Sequence, residues 1–409
     1  MSKYAKRHAK RPERKFLSRW FYLSSFLILC ILMGIYYLFS LTESSASSES
    51  SQTTEQTTEI STSSSSQEQH TPLDATNYKN LLSNQDVVTD EGTSYDQKIL
   101  SSGFIGSALI VKNGKIILHK GYGYADKAAD VKNTPSTLFN ICSMQKGLTA
   151  VLVMKAIKEG KLSLNDPLAK YFPNIPNAKK ITIQQLLQMA SGLKLTQNPS
   201  GTEDVRKILD WDATHITSTG TQGTFDYSPI NYILLEGIVS QVTGKSYDTL
   251  LTNFYMKQNG LQQTLLYQDF LKSPNPTANY KTEDEADPYV TANDISRASL
   301  ASEVGTGNLY MSVGDLYRYY DLLLNGKLLD STSLQQMWTP VVGSTYAAGF
   351  YDKGSYYRAH GGKGGFESFG LFTKDNQTSV LLLSNRGRKR DKELMNQLYK
   401  SLTNINADF

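Results

Sequence analysis

Apolar and polar positions divide this chain into three regimes. From Trp20 to Thr42 there are 23 residues without a charge, including the run FYLSSFLILCILMGIYYLF. About 20 apolar residues cross a hydrocarbon core as a helix, so the pattern predicts a transmembrane anchor over 20–42. Residues 43–70 are then almost entirely Ser, Thr, Glu and Gln. They carry too little apolar surface to offset their ordering entropy and predict a disordered linker over 43–74, with a mean reach of about 30 Å. Periodic patterns begin near residue 75. FIGSALIVKNGKIILHKGYGY (104–124) alternates on either side of Asn113-Gly114 and predicts a β-hairpin. Leu148, Val151, Leu152 and Ala156 recur at helical spacing, predicting a helix over 143–159 that Gly160 closes. Thr182 and Gln185 form a capping box for a further helix ending at Gly192, and 230–243, 246–258 and 312–324 follow as helices. Beyond 345, short strands are expected near 346–351, 355–360, 366–373 and 378–384, then a helix over 389–403. Strands at both ends with helices between them predict an α/β fold of the α+β type. Its antiparallel sheet draws on both ends of the chain and is flanked by helices, with a helical subdomain beside it.

Charge sharpens this layout. The formal net charge is +4, but residues 1–19 hold eight Lys/Arg against Glu13 alone, which leaves −3 for the rest. The main body therefore lacks the basic surface that nucleic-acid binding requires. Basic residues before the apolar run, and none in the polar stretch after it, orient the anchor with residues 1–19 in the cytoplasm and 75–409 outside the cell. Trp20, Tyr22, Tyr36 and Tyr37 stand near its ends, where amphipathic rings favour the interface. A cleaved signal peptide is the competing reading, but its apolar core would run only about 7–15 residues. The two cysteines, Cys30 in the apolar run and Cys142 in the main body, predict an external domain without disulfides.

Candidate chemistry begins with Ser143-Met144-Gln145-Lys146, an S-x-x-K element at a predicted helix start. Positions three apart share a helix face, so Lys146 projects beside Ser143. A serine hydroxyl is a weak nucleophile unless a neighbour takes its proton, and a lysine can do so only as the free amine. The element recurs at Ser191-Gly192-Leu193-Lys194, where glycine directly after serine disfavours a helix start. The motif alone therefore decides nothing. Cys142 reads as a small buried apolar residue. The five histidines show no metal-ligand spacing, and Gly361-Gly362-Lys363-Gly364-Gly365 lacks P-loop spacing, so neither cofactor nor metal is expected.

The surroundings of Ser143 carry more. TPSTLFNICSMQKGLTAVLVMKAIKEGKLSLNDPLAKYFP (134–173) resembles the nucleophile region of the serine β-lactamase and penicillin-binding-protein superfamily. The likeness is strongest to its class C β-lactamase-like branch, which includes D-alanyl carboxypeptidases and esterases. ITIQQLLQMASGL (181–193), FDYSPINYILLEGIVSQVTGKSY (225–247), GNLYMSVGDLYRYYDLLLNGKLL (307–329) and HGGKGGFESFG (360–370) agree in order. The resemblance implies that Ser143 is the nucleophile and that Lys146 and Tyr227 handle its proton. It further implies that His360-Gly361-Gly362 is the H-x-G strand, with His360 binding a substrate carboxylate or tuning Tyr227. The oxyanion would then lie between the amides of Ser143 and Lys363. In the family's Y-x-N element the asparagine binds a substrate amide; here Tyr227-Ser228-Pro229 puts proline there, with Asn231 as a substitute two residues on. That departure disfavours amide substrates and leaves esters open. The expectation is an anchored extracellular serine hydrolase working through an acyl-enzyme. Its substrate would be a cell-envelope polymer or a small ester or peptide, with D-alanyl groups foremost. A weakly catalytic penicillin-binding sensor and a general carboxylesterase are the alternatives.

Overall fold

Asn113 and Gly114 both take positive φ, 51° and 71°, as a two-residue turn between right-twisted strands demands. They join β2 (Gly106–Lys112) to β3 (Lys115–Tyr122), the predicted hairpin. The structure is a computed structural model and describes residues 75–199, 201–282, 287–290 and 295–409. The segments expected to be cytoplasmic (1–19), membrane-spanning (20–42) and linking (43–74) lie outside the described residues. Among the described residues no helix is long and apolar enough to cross a membrane.

Six further strands complete the main sheet: β1 (Val87–Val88), β4 (Tyr346–Ala347), β5 (Phe350–Asp352), β6 (Tyr356–Lys363), β7 (Phe366–Thr373) and β8 (Ser379–Ser384). Their order is β1-β3-β2-β8-β7-β6-β5-β4, antiparallel throughout. β2 and β8 pair from Val111–Ser379 to Gly106–Ser384, so an early and a late strand of the described residues meet at the centre of the sheet. Both strands are buried on both faces. Leu109, Val111, Leu381 and Leu383 point into the larger core, and Ala108, Ile110, Val380 and Leu382 into the smaller. The period-two alternation of strand side chains sorts them.

Helices α1 (Thr93–Ser102) and α5 (Lys389–Thr403) close the smaller core with Ile99, Leu394, Leu398 and Tyr399. The opposite face packs against α2 (Gln145–Lys158), α3 (Ile230–Thr243) and α4 (Val313–Leu324). Helix α2 is buried on nearly every side, its polar Gln145, Lys146 and Thr149 included. A second sheet of Phe139–Asn140, Leu309–Met311 and Thr264–Leu266 carries the chain into and past the start of α2.

Several boundaries differ from expectation. The capping box of Thr182 and Gln185 forms, but its helix stops at Leu187. The stretch expected as one strand over 346–351 is two, broken where Ala348 and Gly349 take φ of 52° and 91°. Helices at Thr93–Ser102, Val205–Thr214 and Ser331–Met337 were not expected, although Val205–Thr214 is amphipathic with Ile208 and Asp212 turned inward.

Candidate active site

The turn before α2 is held by side chains from its own motif. Asn140 Oδ1 accepts from the Cys142 amide at 2.7 Å, and Cys142 takes a φ of 48°. Gln145 Oε1 accepts from the amides of Asn308 and Leu309 at 2.7 and 2.9 Å, fastening the turn to the Leu309–Met311 strand. Ser143 occupies the single 3₁₀ turn Cys142–Met144, directly ahead of the helix. Lys146 follows one turn later with 1% of its surface exposed. Its Nζ donates to Ser143 Oγ at 3.0 Å and to the Thr306 carbonyl at 3.2 Å. Those two acceptors stand in for the water that burial removes.

Tyr227 approaches from the segment leading into α3. Its hydroxyl donates to Ser143 Oγ at 3.0 Å, and its ring centroid lies 5.4 Å from Lys146 Nζ. The edge-on ring of Tyr346, 6.0 Å away at 90°, fixes its tilt. The second S-x-x-K element proves to be a support for this tyrosine. Lys194 Nζ donates to the Tyr227 carbonyl at 2.9 Å and to Asp226 Oδ1 at 2.6 Å, while Ser191 Oγ accepts from the Leu193 amide in a local turn.

Strand β6 supplies the opposite wall. A Cβ at Gly361 would lie 2.6 Å from the Ile141 carbonyl oxygen and 2.7 Å from the Ser143 amide nitrogen, so only glycine lets the strand come this close. His360 Nε2 lies 2.6 Å from Glu367 Oε2, and its ring stacks on Phe369 at 5.2 Å. That nitrogen is committed to a carboxylate of the protein rather than to Tyr227 or an incoming acid. Lys363 Nζ donates to Glu303 Oε1 at 2.8 Å.

Two clefts meet at these groups. One of about 590 Å³ is lined by Lys194, Tyr227, Pro229, Ser299, Glu303 and Lys363, among others. The other, about 460 Å³, contains Ser143, Tyr227, Tyr351, Arg358, His360, Gly361, Gly362, Lys363 and Glu367. Asn231 lines neither. It is buried within the first turn of α3, where Nδ2 donates to the Ser228 carbonyl at 2.9 Å. The expectation that it replaces the missing Y-x-N asparagine is corrected: Pro229 caps α3 in helical conformation, and two residues further on the helix turns Asn231 inward. Burial pushes the Cys142 thiol up, which keeps it protonated and inert. Among the described residues no cluster of three or more His, Cys, Asp or Glu could hold a metal ion.

Sequence reasoning missed Thr306, Glu303, Glu367 and Asp226. Thr306 directly precedes the GNLYMS segment and Glu303 stands four residues before it, while Glu367 follows the Gly365-Phe366 pair, so nearness to recognised segments was the available signal.

The beta-lactamase family model matches residues 101–403. PbpX of Bacillus subtilis (strain 168), whose name places it with the penicillin-binding proteins, is 35% identical over 305 residues, 73% of this chain and 75% of that one. The teichoic acid D-alanine hydrolase of Staphylococcus aureus is 31% identical over 318 residues, 75% of this chain and 77% of its own. The crystal structure of FmtA from Staphylococcus aureus superposes with a TM-score of 0.69 at 25% identity, covering 80% of this chain and 90% of FmtA. With a serine, a lysine and a tyrosine converging at the mouth of two clefts on this fold, the chain belongs to the beta-lactamase family and is a serine hydrolase.

Proposed function

We propose that this protein removes D-alanyl groups from esters of the cell envelope, working outside the cell from the membrane anchor that residues 20–42 encode. The observation that carries the reading is the Ser143 hydroxyl held at 3.0 Å by both the Lys146 amine and the Tyr227 hydroxyl. Ser143 Oγ attacks the ester carbonyl as its proton passes to the Lys146–Tyr227 pair, one member of which must be deprotonated to receive it. The amides of Ser143 and Lys363 hold the oxyanion. The carbon–oxygen bond breaks, the leaving alkoxide takes the proton back, and water then cleaves the acyl-enzyme to release D-alanine and restore Ser143.

Two observations support an ester over an amide. Pro229 offers no side-chain donor or acceptor where the family's asparagine would grip an amide, and Asn231 does not replace it. The relative named for D-alanine removal from teichoic acid is similar over three quarters of this chain. The test is release of free D-alanine from D-alanylated teichoic acid by intact cells expressing the full chain. Release should stop with Ser143→Ala and after protease is added outside the cells. Full release by Ser143→Ala would overturn the mechanism, and protease resistance of the catalytic domain would overturn the placement.

A further inference from the structure

Lys363 brings two groups to the junction of the clefts. Its backbone amide is the second oxyanion donor of the proposed mechanism, and its ammonium is bonded to Glu303 Oε1 at 2.8 Å. The other oxygen of Glu303 accepts from Thr306 Oγ1 at 2.9 Å, in the residue whose carbonyl holds Lys146. Burial pushes the Glu303 carboxyl up, but the hydrogen-bonded Lys363 ammonium, with lesser help from Lys146 and Thr306, outweighs it and holds the group below its ordinary range. Glu303 therefore stays ionised at neutral pH, and its charge cancels that of Lys363.

The other basic groups along the clefts are also engaged. Lys194 is bonded to Asp226. Arg358 gives an N–H to the Asp408 carbonyl at 2.8 Å and lies over the rings of Tyr351 and Phe409 at 4.5 and 5.4 Å. His360 is bonded to Glu367. Tyr227 and Lys363 are the two residues that line both clefts, so a leaving group crossing this junction passes the Lys363–Glu303 pair. A carboxylate on that leaving group meets a cation already neutralised by Glu303, so it would give up its hydration without gaining an ion pair. An uncharged alcohol meets no such penalty. Recognition is a difference of affinities, and an uncompensated desolvation penalty against one ligand sets it as effectively as a new attraction to the other.

We infer that Glu303 is a specificity-determining residue: by holding the Lys363 ammonium it excludes substrates whose leaving group bears a carboxylate, as in D-Ala-D-Ala peptides and penicillins, and admits the alcohol of an ester. The inference rests on the serine-esterase reading above.

Two aryl esters of D-alanine separate the two claims, one with a 3-carboxyphenyl and one with a 3-carbamoylphenyl leaving group of nearly equal size. The wild-type full chain should favour the carbamoyl ester in kcat/KM. Glu303→Gln should shift the ratio at least about tenfold toward the carboxylate ester, mostly through KM, the worth of one charge-assisted hydrogen bond. Lys363→Met, which keeps the backbone amide, should shift it the opposite way, and the double variant should lose the gain. Should Glu303→Gln fail to fold, the Lys363→Met shift carries the test. Ser143-dependent cleavage with an unchanged ratio in these variants overturns the role of Glu303 and leaves the esterase standing. Cleavage of neither ester by the wild type, or of both by Ser143→Ala, overturns the esterase reading itself.

Discussion

At the scale of single residues, Ser143 and Ser191 begin the same four-residue pattern and end in different employment. Ser143 has an amine and a phenol within 3.0 Å, whereas Ser191 braces a turn and its lysine supports the Tyr227 backbone. Tyr227→Phe would keep the ring against Tyr346 and delete only the proton-handling hydroxyl. We expect kcat to fall by about 10²- to 10⁴-fold with KM little changed. Ser191→Ala should leave kcat unaltered, and steady-state kinetics on one ester substrate compares the two directly. A Tyr227→Phe enzyme of full activity would leave Lys146 as the sole proton acceptor. Four letters could not tell these serines apart because the difference lies in Tyr227, Thr306 and Asp226, which arrive from elsewhere in the chain. The neighbourhood resemblance separated them; the partners that anchor Lys146 and Lys363 have no motif of their own and are marked only by nearness to recognised segments. Asn231 failed as an expectation for a related reason, since the two residues that separate it from Pro229 turn a helical side chain by about 200°.

At the scale of elements, the strongly periodic pieces were legible: the Asn113-Gly114 hairpin, the helices at 145–158, 230–243 and 313–324, and the last three strands of the main sheet. The break between β4 and β5 was not, because its cause is tertiary. Gly349 takes a φ of 91°, and a Cβ there would lie 2.4 Å from the Gly147 amide, against the residue that follows Lys146. No alternation of apolar residues records a close approach between two glycines far apart in sequence. Gly349→Ala should cost about 1–3 kcal/mol from backbone strain alone, and more from displacing the start of α2. Urea unfolding should show a lower midpoint, with kcat falling in parallel as Lys146 moves off Ser143. A variant with native midpoint and native kcat would mean that this loop does not set the position of α2.

At the scale of the whole molecule, a buried carboxyl ties stability to pH. Glu236 lies inside α3, with one oxygen accepting from Ser240 at 3.0 Å and the other without a partner. Burial, reinforced by the Asp248 charge, pushes it from an ordinary 4.5 up to about 7. The folded state thus holds a proton that the unfolded chain releases near 4.5. That contribution to stability is complete below pH 4.5 and disappears as pH rises through about 7. Asp315, pushed up to about 6 by its burial, acts in the same direction. Unfolding free energies measured from pH 5 to 8 should therefore decline, and Glu236→Gln should remove up to about 3 kcal/mol of the decline. An identical slope in the variant would place the pH dependence elsewhere.

The pairing of β2 with β8 also governs when this enzyme can come into being. Val111 waits for Ser379, and Gly106 for Ser384, partners that leave the ribosome some 270 residues later. At ordinary synthesis rates of about 5–20 residues per second, that interval is roughly 15–50 seconds. Throughout it, an apolar strand destined for the middle of the sheet has one edge bare. Contacts this distant in sequence also make folding slow. Neither β6 nor the wall it brings to Ser143 exists until synthesis has passed Lys363, so a stop before that point yields no partial hydrolase. Activity switches on only with the last strands.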